Sequence, residues 1–468
     1  MLRLQAGQLD TLWETLLPET VRALPPDLAR AEAVLADAQL LEPFRAHWRA
    51  TSPGGLVDGR PTIPMQTYLR LMVLKHRCGW GYETLVREVA DSLHLRRFCL
   101  IPLHERVPDE STLRKLTRRL GPEVTDALIR RLIAIAARER RFRARALRVD
   151  STVVEADVRY PTDAGLCGDA VRVIARAARA VRRAVPRTTQ HVRDRSRAVG
   201  RRLRELGRTL RRRTEEAQRS VRRLTEAAAA QVRTSAREAR RLLRQAARSR
   251  SRATDRSPAA RAKAIAELER VASLAERVVA QVRQRFAGEK IADRLVSLFD
   301  TDARPIRRGK LARPNEFGYV VQIAEVSAST KRGARSLVLP PKLATGSAGE
   351  NTLLPRTADE LIALGLRPRE AAFDAGFGTV VTATTMAAVR PDIELFIAGS
   401  KRNAGSRRTL RRRARYRVGC EGRIAHLKRE YGAGRSRLKG VSGSRIWQGW
   451  TIFAYDLDTT AAMPVGTG

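Results

Sequence analysis

The sequence predicts a mixed α/β domain, interrupted by a long basic helical insertion and preceded by an all-α N-terminal region. Three observations predict it. Short apolar or alternating runs bounded by Gly, Pro and charges, the mark of strands, occur at Leu147–Val154 and again after Lys290. Between them lies a segment rich in Arg and Ala and nearly free of aromatic residues. Before them, apolar residues recur at helical spacing.

The chain has 468 residues, enough for about three domains and more than one buried core. Lys and Arg number 91 against 49 Asp and Glu, a net charge of +42. GC-rich codon usage can inflate Arg and Ala, but it does not unbalance Arg against the acids. An apolar fraction of 43% excludes a disordered chain. Four cysteines in a chain this long are not a disulfide framework. The longest uncharged run near a candidate membrane span, Ala375–Val389, has 15 residues. A membrane helix needs about 20. No basic start followed by an apolar stretch and a cleavage site opens the chain. These features predict a cytoplasmic, nucleoid-associated protein with a polyanionic partner and no membrane.

In the N-terminal region Leu9, Leu12, Leu16 and Leu17 share a helical face, and Pro25, Pro26 and Ser52-Pro53-Gly54-Gly55 interrupt the pattern. A helix is expected over Met65–Cys78, with Leu69, Met72 and Val73 as its stripe. Gly79-Trp80-Gly81 ends it, and Tyr82–Leu93 follows. Asp109–Leu120 is the next, with Ser111 near its N-cap and Arg114, Lys115, Arg118 and Arg119 along it. Helix, short break, helix is the grammar of DNA-binding bundles, although most such helices are plain packing helices. The basic final helix favours nucleic acid.

Residues 171–290 hold 35 of the Lys and Arg and 11 of the Asp and Glu, a net of +24; the other 348 residues carry +18. Pro186, Gly200, Gly207 and Pro258 punctuate the segment, and Leu203, Leu206 and Leu210 give it a narrow apolar seam. Two or three long helices are expected, in the manner of an antiparallel coiled hairpin. The segment reads either as a solvated spacer or as a DNA-backbone clamp or dimerisation arm. After it, strands are expected at Arg294–Phe299, Phe317–Val326, Ser336–Leu339, Glu370–Phe373 and Ile393–Ala398.

Three acids stand out. Asp150 lies inside the β-branched run Val149-Asp150-Ser151-Thr152-Val153-Val154, where a carboxylate is costly without a role or a partner. Asp374 ends the run Ala371-Ala372-Phe373 and precedes Ala375-Gly376-Phe377-Gly378, a strand-to-helix turn. Glu421 lies in a helix from about Arg413 to Tyr431, where Arg417 and Lys428 fall within about 40° of it. Each feature alone has an ordinary reading, and for Glu421 it is a surface ion pair. Together, two strand-end aspartates and a helix glutamate can hold two divalent cations about 3.5–4 Å apart for in-line phosphoryl displacement. Mg²⁺ suits such hard oxygen donors, and Mn²⁺ can substitute. Arg417 and Lys428 would then face a DNA backbone. Glu155, Asp157, Asp300 and Asp302 are alternative acids near expected strand ends.

The other candidates read as ordinary. The six histidines make no zinc spacing, although His426 lies near the active helix and could touch DNA. Cys78, Cys99, Cys167 and Cys420 form no CxxC pair and read as free thiols. No Gly-Lys-Ser/Thr phosphate loop is present, so no use of ATP is implied. Trp447, Trp450, Ile452 and Phe453 read as a final core helix.

With Val149-Asp150-Ser151-Thr152, Phe373-Asp374-Ala375-Gly376-Phe377 and Arg417-x3-Glu421-x6-Lys428 followed by Arg429-Glu430-Tyr431-Gly432, the sequence resembles the bacterial insertion-sequence transposases of the DDE type. Gly59-Arg60-Pro61 through Leu120 resembles the helical domain that precedes the catalytic core in many of them, and Asp302–Lys310 with Glu316–Tyr319 a piece of that core. The resemblance spans about residues 59–457. It implies a ribonuclease-H-like fold, metal ligation and catalysis by Asp150, Asp374 and Glu421, and DNA contacts from Arg417 and Lys428. Arg114, Lys115 and Arg118 join the DNA contacts as the basic face of the N-terminal block. It implies double-stranded DNA as partner, both terminal inverted repeats and target, and a homodimer or higher assembly. Where members often carry a Tyr three residues before the Arg, position 414 is Ala and the nearest Tyr is Tyr416, so no Tyr role is carried over. The organisation implied is a helical segment 1–58, a helical DNA-binding domain 59–140, a catalytic domain 141–168 and 291–468, and an insertion 169–290. Only 46 residues separate Asp374 from Glu421, so the long insertion falls between the first two acids. A nuclease without strand transfer and a non-catalytic DNA-binding descendant stay open as alternatives.

Overall fold

Strand β1 (Ala146–Ala156) has the Val- and Thr-rich alternation that suits a pleated surface, and it lies at the centre of a mixed sheet. The computed structural model describes residues 1–7, 16–212, 214–249, 257–307 and 315–465, with only the backbone of Val21. Leu9 and Leu12 lie outside these residues, as do Arg308, Gly309 and Lys310. Across the sheet the order is β2 (Arg304–Arg307), β3 (Asn315–Ser327), β1, β6 (Glu370–Phe373) and β7 (Glu394–Ile397). Strands β4 (Ser336–Val338) and β5 (Lys342–Thr345) also pair with β3, and β8 (Arg435–Ser436) with β1. β3 runs antiparallel to β1, whereas β6 runs parallel to β1 and β7 parallel to β6.

The chain divides into two units, Met1–Asp157 with Ile306–Gly468, and Val158–Pro305. In the first unit the sheet is accompanied by α1 (Glu19–Arg22), α2 (Pro26–Leu35), α3 (Glu42–Thr51), α4 (Met65–Arg77), α5 (Tyr82–Asp91), α6 (Leu93–Phe98) and α7 (Glu110–Glu139). The stripe expected on α4 is in fact an almost wholly buried helix, with Met65 and every residue from Thr67 to His76 inside. Helix α7 begins on Asp109, the expected start, whose carboxylate accepts from Ser111 N at 2.7 Å and so caps the helix two residues before Ser111. Gly121, at φ 69°, breaks α7 before Pro122, which a following helical turn accepts at its start.

The C-terminal helix α15 (Gly440–Ala461) buries Trp447, Trp450, Ile452 and Phe453, as its composition led one to expect. It packs on α7, α4 and α2. The remaining helices of this unit are α12 (Leu354–Ala363), α13 (Thr379–Val389) and α14 (Arg407–Glu430). Among the described residues no helix is long and apolar enough to cross a membrane.

The second unit holds the Arg/Ala-rich segment. In place of two or three helices the described residues hold four: α8 (Asp163–Ala184), α9 (Ser196–Thr209), α10 (Glu215–Arg248) and α11 (Pro258–Phe286). Their shared core is rich in Ala and β-branched residues, among them Ala170, Ile174, Ala178, Val232, Ala236, Ala239, Val271 and Ala275. Gly200 and Gly207 sit inside α9 rather than ending a helix, and Pro258 opens α11. Leu206 is buried, but Leu210 is exposed. Asp163 receives Arg285 at 2.6 Å and Arg294 at 3.1 Å, which joins the start of the unit to its end.

One expected strand is absent. Arg294–Phe299 is irregular backbone, and Leu295 and Leu298 fill the helical core. The Gln281 side chain replaces a strand partner: Leu295 N donates to its Oε1 at 2.5 Å, and its Nε2 donates to Leu295 O at 3.2 Å.

Candidate active site

Alternation along β1 places Arg148, Asp150 and Thr152 on one sheet face. Helix α14 lies along that face, and its contacts step with the strand. Tyr416 O accepts from Arg148 Nη1 at 2.9 Å. Arg417 and Glu421 lie near enough to Asp150 for their charges to act on its carboxylate. Lys428 Nζ donates to Thr152 Oγ1 at 2.7 Å and to Val153 O at 2.9 Å.

The parallel pairing of β1 with β6 brings in the other aspartate. Val149 is in register with Phe373, so Asp150 and Asp374 follow side by side at adjacent strand positions. Asp374 is the first residue beyond β6, at the turn before the short helical turn Ala375–Phe377. Arg417 Nη1 reaches Asp374 Oδ1 at 3.4 Å and Glu421 Oε1 at 3.1 Å. The fold thus gathers Asp150, Asp374 and the Arg417–Glu421 pair from three segments that lie far apart in sequence. Arg417, read as a group facing DNA, bridges two of the carboxylates. Lys428 is tied to β1.

Asp150 is half-buried, and Ser151 N donates to its Oδ1 at 2.7 Å. Burial pushes its carboxyl above the ordinary range. The Ser151 bond opposes that shift, Asp374 and Glu421 reinforce it, and Arg417 opposes it. Among the described residues, no three His, Cys, Asp or Glu side chains are grouped so as to hold a metal ion as they stand. The donor set is nonetheless one of hard oxygens, and its negative charge is met by a single guanidinium.

Beneath the carboxylates lies a charged cluster that sequence reasoning missed. Glu325, fully buried on β3, is directly opposite Arg148. Arg148 donates to its Oε2 at 2.7 and 2.8 Å, and Arg423 Nε to its Oε1 at 3.0 Å. Tyr416 Oη and Ser327 Oγ share a bond of 2.6 Å, and Arg148 lies over the Tyr416 ring. This network anchors α14 to the sheet. Its signal in the sequence is an acid within the apolar run Ile323-Ala324-Glu325-Val326, the same signal that marks Asp150.

Arg114, Lys115 and Arg118 form the exposed face of α7, opposite the buried Leu113, Leu116, Thr117 and Leu120. Arg114 pairs with Glu110 at 3.2 Å and stands over the Tyr82 ring. His426 packs against Tyr431 and Tyr455. Cys420 is a buried free thiol whose pKa burial pushes well up, so it is no nucleophile. Of the alternative acids, Glu155 pairs with Arg435 at 2.7 Å, and Asp300 and Asp302 belong to the helical unit.

Lys428 also lines a cleft of about 410 Å³ with Lys75, Trp80, Arg435, Arg437 and Trp447. Lys75 is buried, and its Nζ stands 4.0 Å from the Trp447 ring and 4.8 Å from the Tyr82 ring. Burial, aided by Arg437, pushes its pKa down to about 7.

Residues 21–119 match the family model described as Transposase domain (DUF772). The match supports a transposase. It takes in Arg114, Lys115 and Arg118 and leaves the three carboxylates outside. No curated protein and no solved structure matches the chain.

Proposed function

We propose that the chain is a DNA transposase of the DDE type, the product of a bacterial insertion sequence, with a ribonuclease-H-like catalytic domain. The observation that carries this reading is the convergence of Asp150, Asp374 and Glu421, the last two bridged by the Arg417 guanidinium. It gains support from the transposase-domain match over residues 21–119. It gains further support from a central strand antiparallel to one neighbour and parallel to the other, with an acid on each of the two parallel strands or at its end.

Asp150, Asp374 and Glu421 are the residues that would hold two Mg²⁺ ions, or Mn²⁺ in their place. Burial and two neighbouring carboxylates make the ionised form of Asp150 costly, and a divalent cation offsets that cost. Mg²⁺, when bound, supplies activation of the attacking oxygen and stabilisation of the leaving oxygen in an in-line displacement. Arg417 must release at least one carboxylate for the three to act together. Its guanidinium then offers two parallel donors to a phosphate at the transposon end. Lys428, held by Thr152 and Val153, keeps α14 and β1 in step.

In the reaction, water attacks the phosphodiester at the element's end. The P–O3′ bond breaks, leaving a 3′-hydroxyl and a 5′-phosphate. The freed hydroxyl then attacks a phosphodiester of target DNA by the same in-line route. No covalent enzyme intermediate forms. Arg114, Lys115 and Arg118 contribute to end binding, and pairing two ends calls for at least a dimer.

The test is a nicking assay in Mg²⁺ at low salt on the DNA flanking the gene, with Asp374→Ala as control. A cut at a defined inverted-repeat end, absent in the variant while end binding stays within a few-fold, is the expected result. Cutting without joining would identify a nuclease. Tight, salt-sensitive binding without any cut would identify a DNA-binding descendant. Loss of both cutting and binding in the variant would make Asp374 a folding residue.

A further inference from the structure

Helix α14 carries charge on two separate faces. Arg417, Glu421 and Lys428 fall within about 40° of one another, whereas Arg408, Arg411 and Arg415 lie roughly 80–140° round from Glu421. This second face is not solvated on all sides. With the turn between β3 and β4 it forms a groove of about 1350 Å³. Arg408, Arg411, Arg412 and Arg415 line one wall, and Lys331 and Arg332 are among the residues of the other. All six are exposed.

Charge balance separates this groove from an ordinary solvated helix face. Among the described residues no Asp or Glu lines it. Arg412 reaches Glu370 at 2.6 Å, but Arg408, Arg411 and Arg415 have no acidic partner among the described residues. Other exposed helical arginines do have an acidic neighbour, as Arg222 has Glu226 and Arg270 has Glu267. A concave surface lined by one sign of charge focuses its field and raises the local concentration of the opposite charge. Arginines at i, i+3 and i+7 spacing present forked donors in a row, which suits the regularly spaced phosphates of a nucleic-acid backbone.

We infer that this groove binds a second segment of duplex DNA, distinct from the one whose phosphodiester is at the carboxylates. The inference rests on the proposed strand-joining reaction, which requires two DNA segments on one enzyme. Helix α14 then acts as a partition: one face serves the scissile strand and the other holds the duplex to be joined. The contacts are to phosphates and carry no base sequence.

The test uses the full chain and the triple variant Arg408→Gln/Arg411→Gln/Arg415→Gln. Binding to a generic duplex lacking any end sequence is measured from low to moderate salt. Losing three phosphate contacts lowers the slope of log affinity against log salt by about 2.7. The corresponding triple Arg→Lys variant keeps the charge and restores most of the slope, which excludes a folding defect. In the joining assay, the ratio of joined to cut product falls at least about tenfold in the Gln variant. An unchanged salt slope overturns the inference. Cutting and joining that fall in equal proportion also overturn it, because the groove would then hold the transposon end itself. If the wild-type chain cuts nothing, the reading of the active site fails, and the salt slope alone decides whether the groove binds duplex.

Discussion

A methyl group built on Gly419 would fall on the guanidinium of Arg148. The Arg148 guanidinium lies so close to α14 at this point that only a hydrogen fits, and the space saved is the path by which Arg148 reaches Tyr416 O and Glu325. Gly419 therefore leaves room for the guanidinium that ties the helix carrying Glu421 to the strand carrying Asp150.

Gly419→Ala is expected to force either α14 or Arg148 to move. Overpacking of this kind costs roughly 1–3 kcal/mol, less the few tenths to 1 kcal/mol that Ala returns in helix propensity. A urea titration checks it: the midpoint falls with an unchanged slope. A midpoint at or above wild type would show that Arg148 yields without loss.

Glu325→Ala leaves Arg148 and Arg423 facing each other without the anion between them. Breaking a buried ion pair from one side costs about 3–5 kcal/mol. Glu325→Gln keeps the shape and part of the hydrogen bonding, so its loss is the smaller of the two. Equal losses, read by thermal or urea unfolding, would mean that the shape and hydrogen bonding kept by Gln contribute nothing beside the charge.

Asp150→Asn is expected to stabilise the metal-free protein at neutral pH. The folded state raises the Asp150 pKa above its ordinary 3.8. Below that ordinary value the carboxyl is protonated in both states and costs nothing. As pH rises through it, the unfolded chain ionises first, and stability is lost until the raised folded value is passed. Thermal melts should therefore show the Asn variant ahead at pH 7 and level with wild type near pH 3. Adding MgCl₂ should favour the wild type, because an ion that binds only the folded carboxylates raises its melting temperature.

Lys75→Met gives the opposite pH dependence. Lys75 has a folded pKa of about 7 against an ordinary 10.5. Above pH 10.5 it is neutral in both states. As pH falls toward 7 the unfolded chain takes up the proton and the folded one does not, so stability declines, and below 7 it declines no further from this cause. The shift corresponds to a cost on the order of 4–5 kcal/mol, reduced by the contact of Nζ with the Trp447 and Tyr82 rings. The Met variant should gain on the wild type as pH drops from 10 to 7, as followed by urea midpoints. A constant difference across that range would refute the assignment.

Much of the architecture was legible, for identifiable reasons. The strands at Leu147–Val154, Phe317–Val326, Glu370–Phe373 and Ile393–Ala398 carry alternation or short apolar runs between breakers, and all form. Arg294–Phe299 has an apolar run too, but periodicity cannot separate a strand from a loop that fills a core. There the Gln281 side chain decided the outcome. The three acids could be singled out because each breaks a local pattern. Their gathering depends on the register of β1 with β6, which no single segment reveals. Glu325 breaks its pattern as visibly as Asp150, yet its meaning lies in Arg148 across the strand pair and Arg423 on α14. The bridge made by Arg417 is half legible: Glu421 is four residues away on the same helix, but Asp374 arrives from the sheet.

The bonds from Asp163 to Arg285 and Arg294 bear on the order in which the chain folds. Pairing β1 with β3 must close a loop of about 150 residues. Relative to a ten-residue connection, a flexible loop of that size costs about 2.4 kcal/mol more entropy. A helical unit fastened end to end at Asp163 removes most of that loop before the strands meet. The remote partners then become near neighbours along an effectively short chain. The sheet that gathers the carboxylates is therefore expected to form late, after the inserted helices, and mutations that loosen Asp163 should slow its appearance more than they weaken the finished fold.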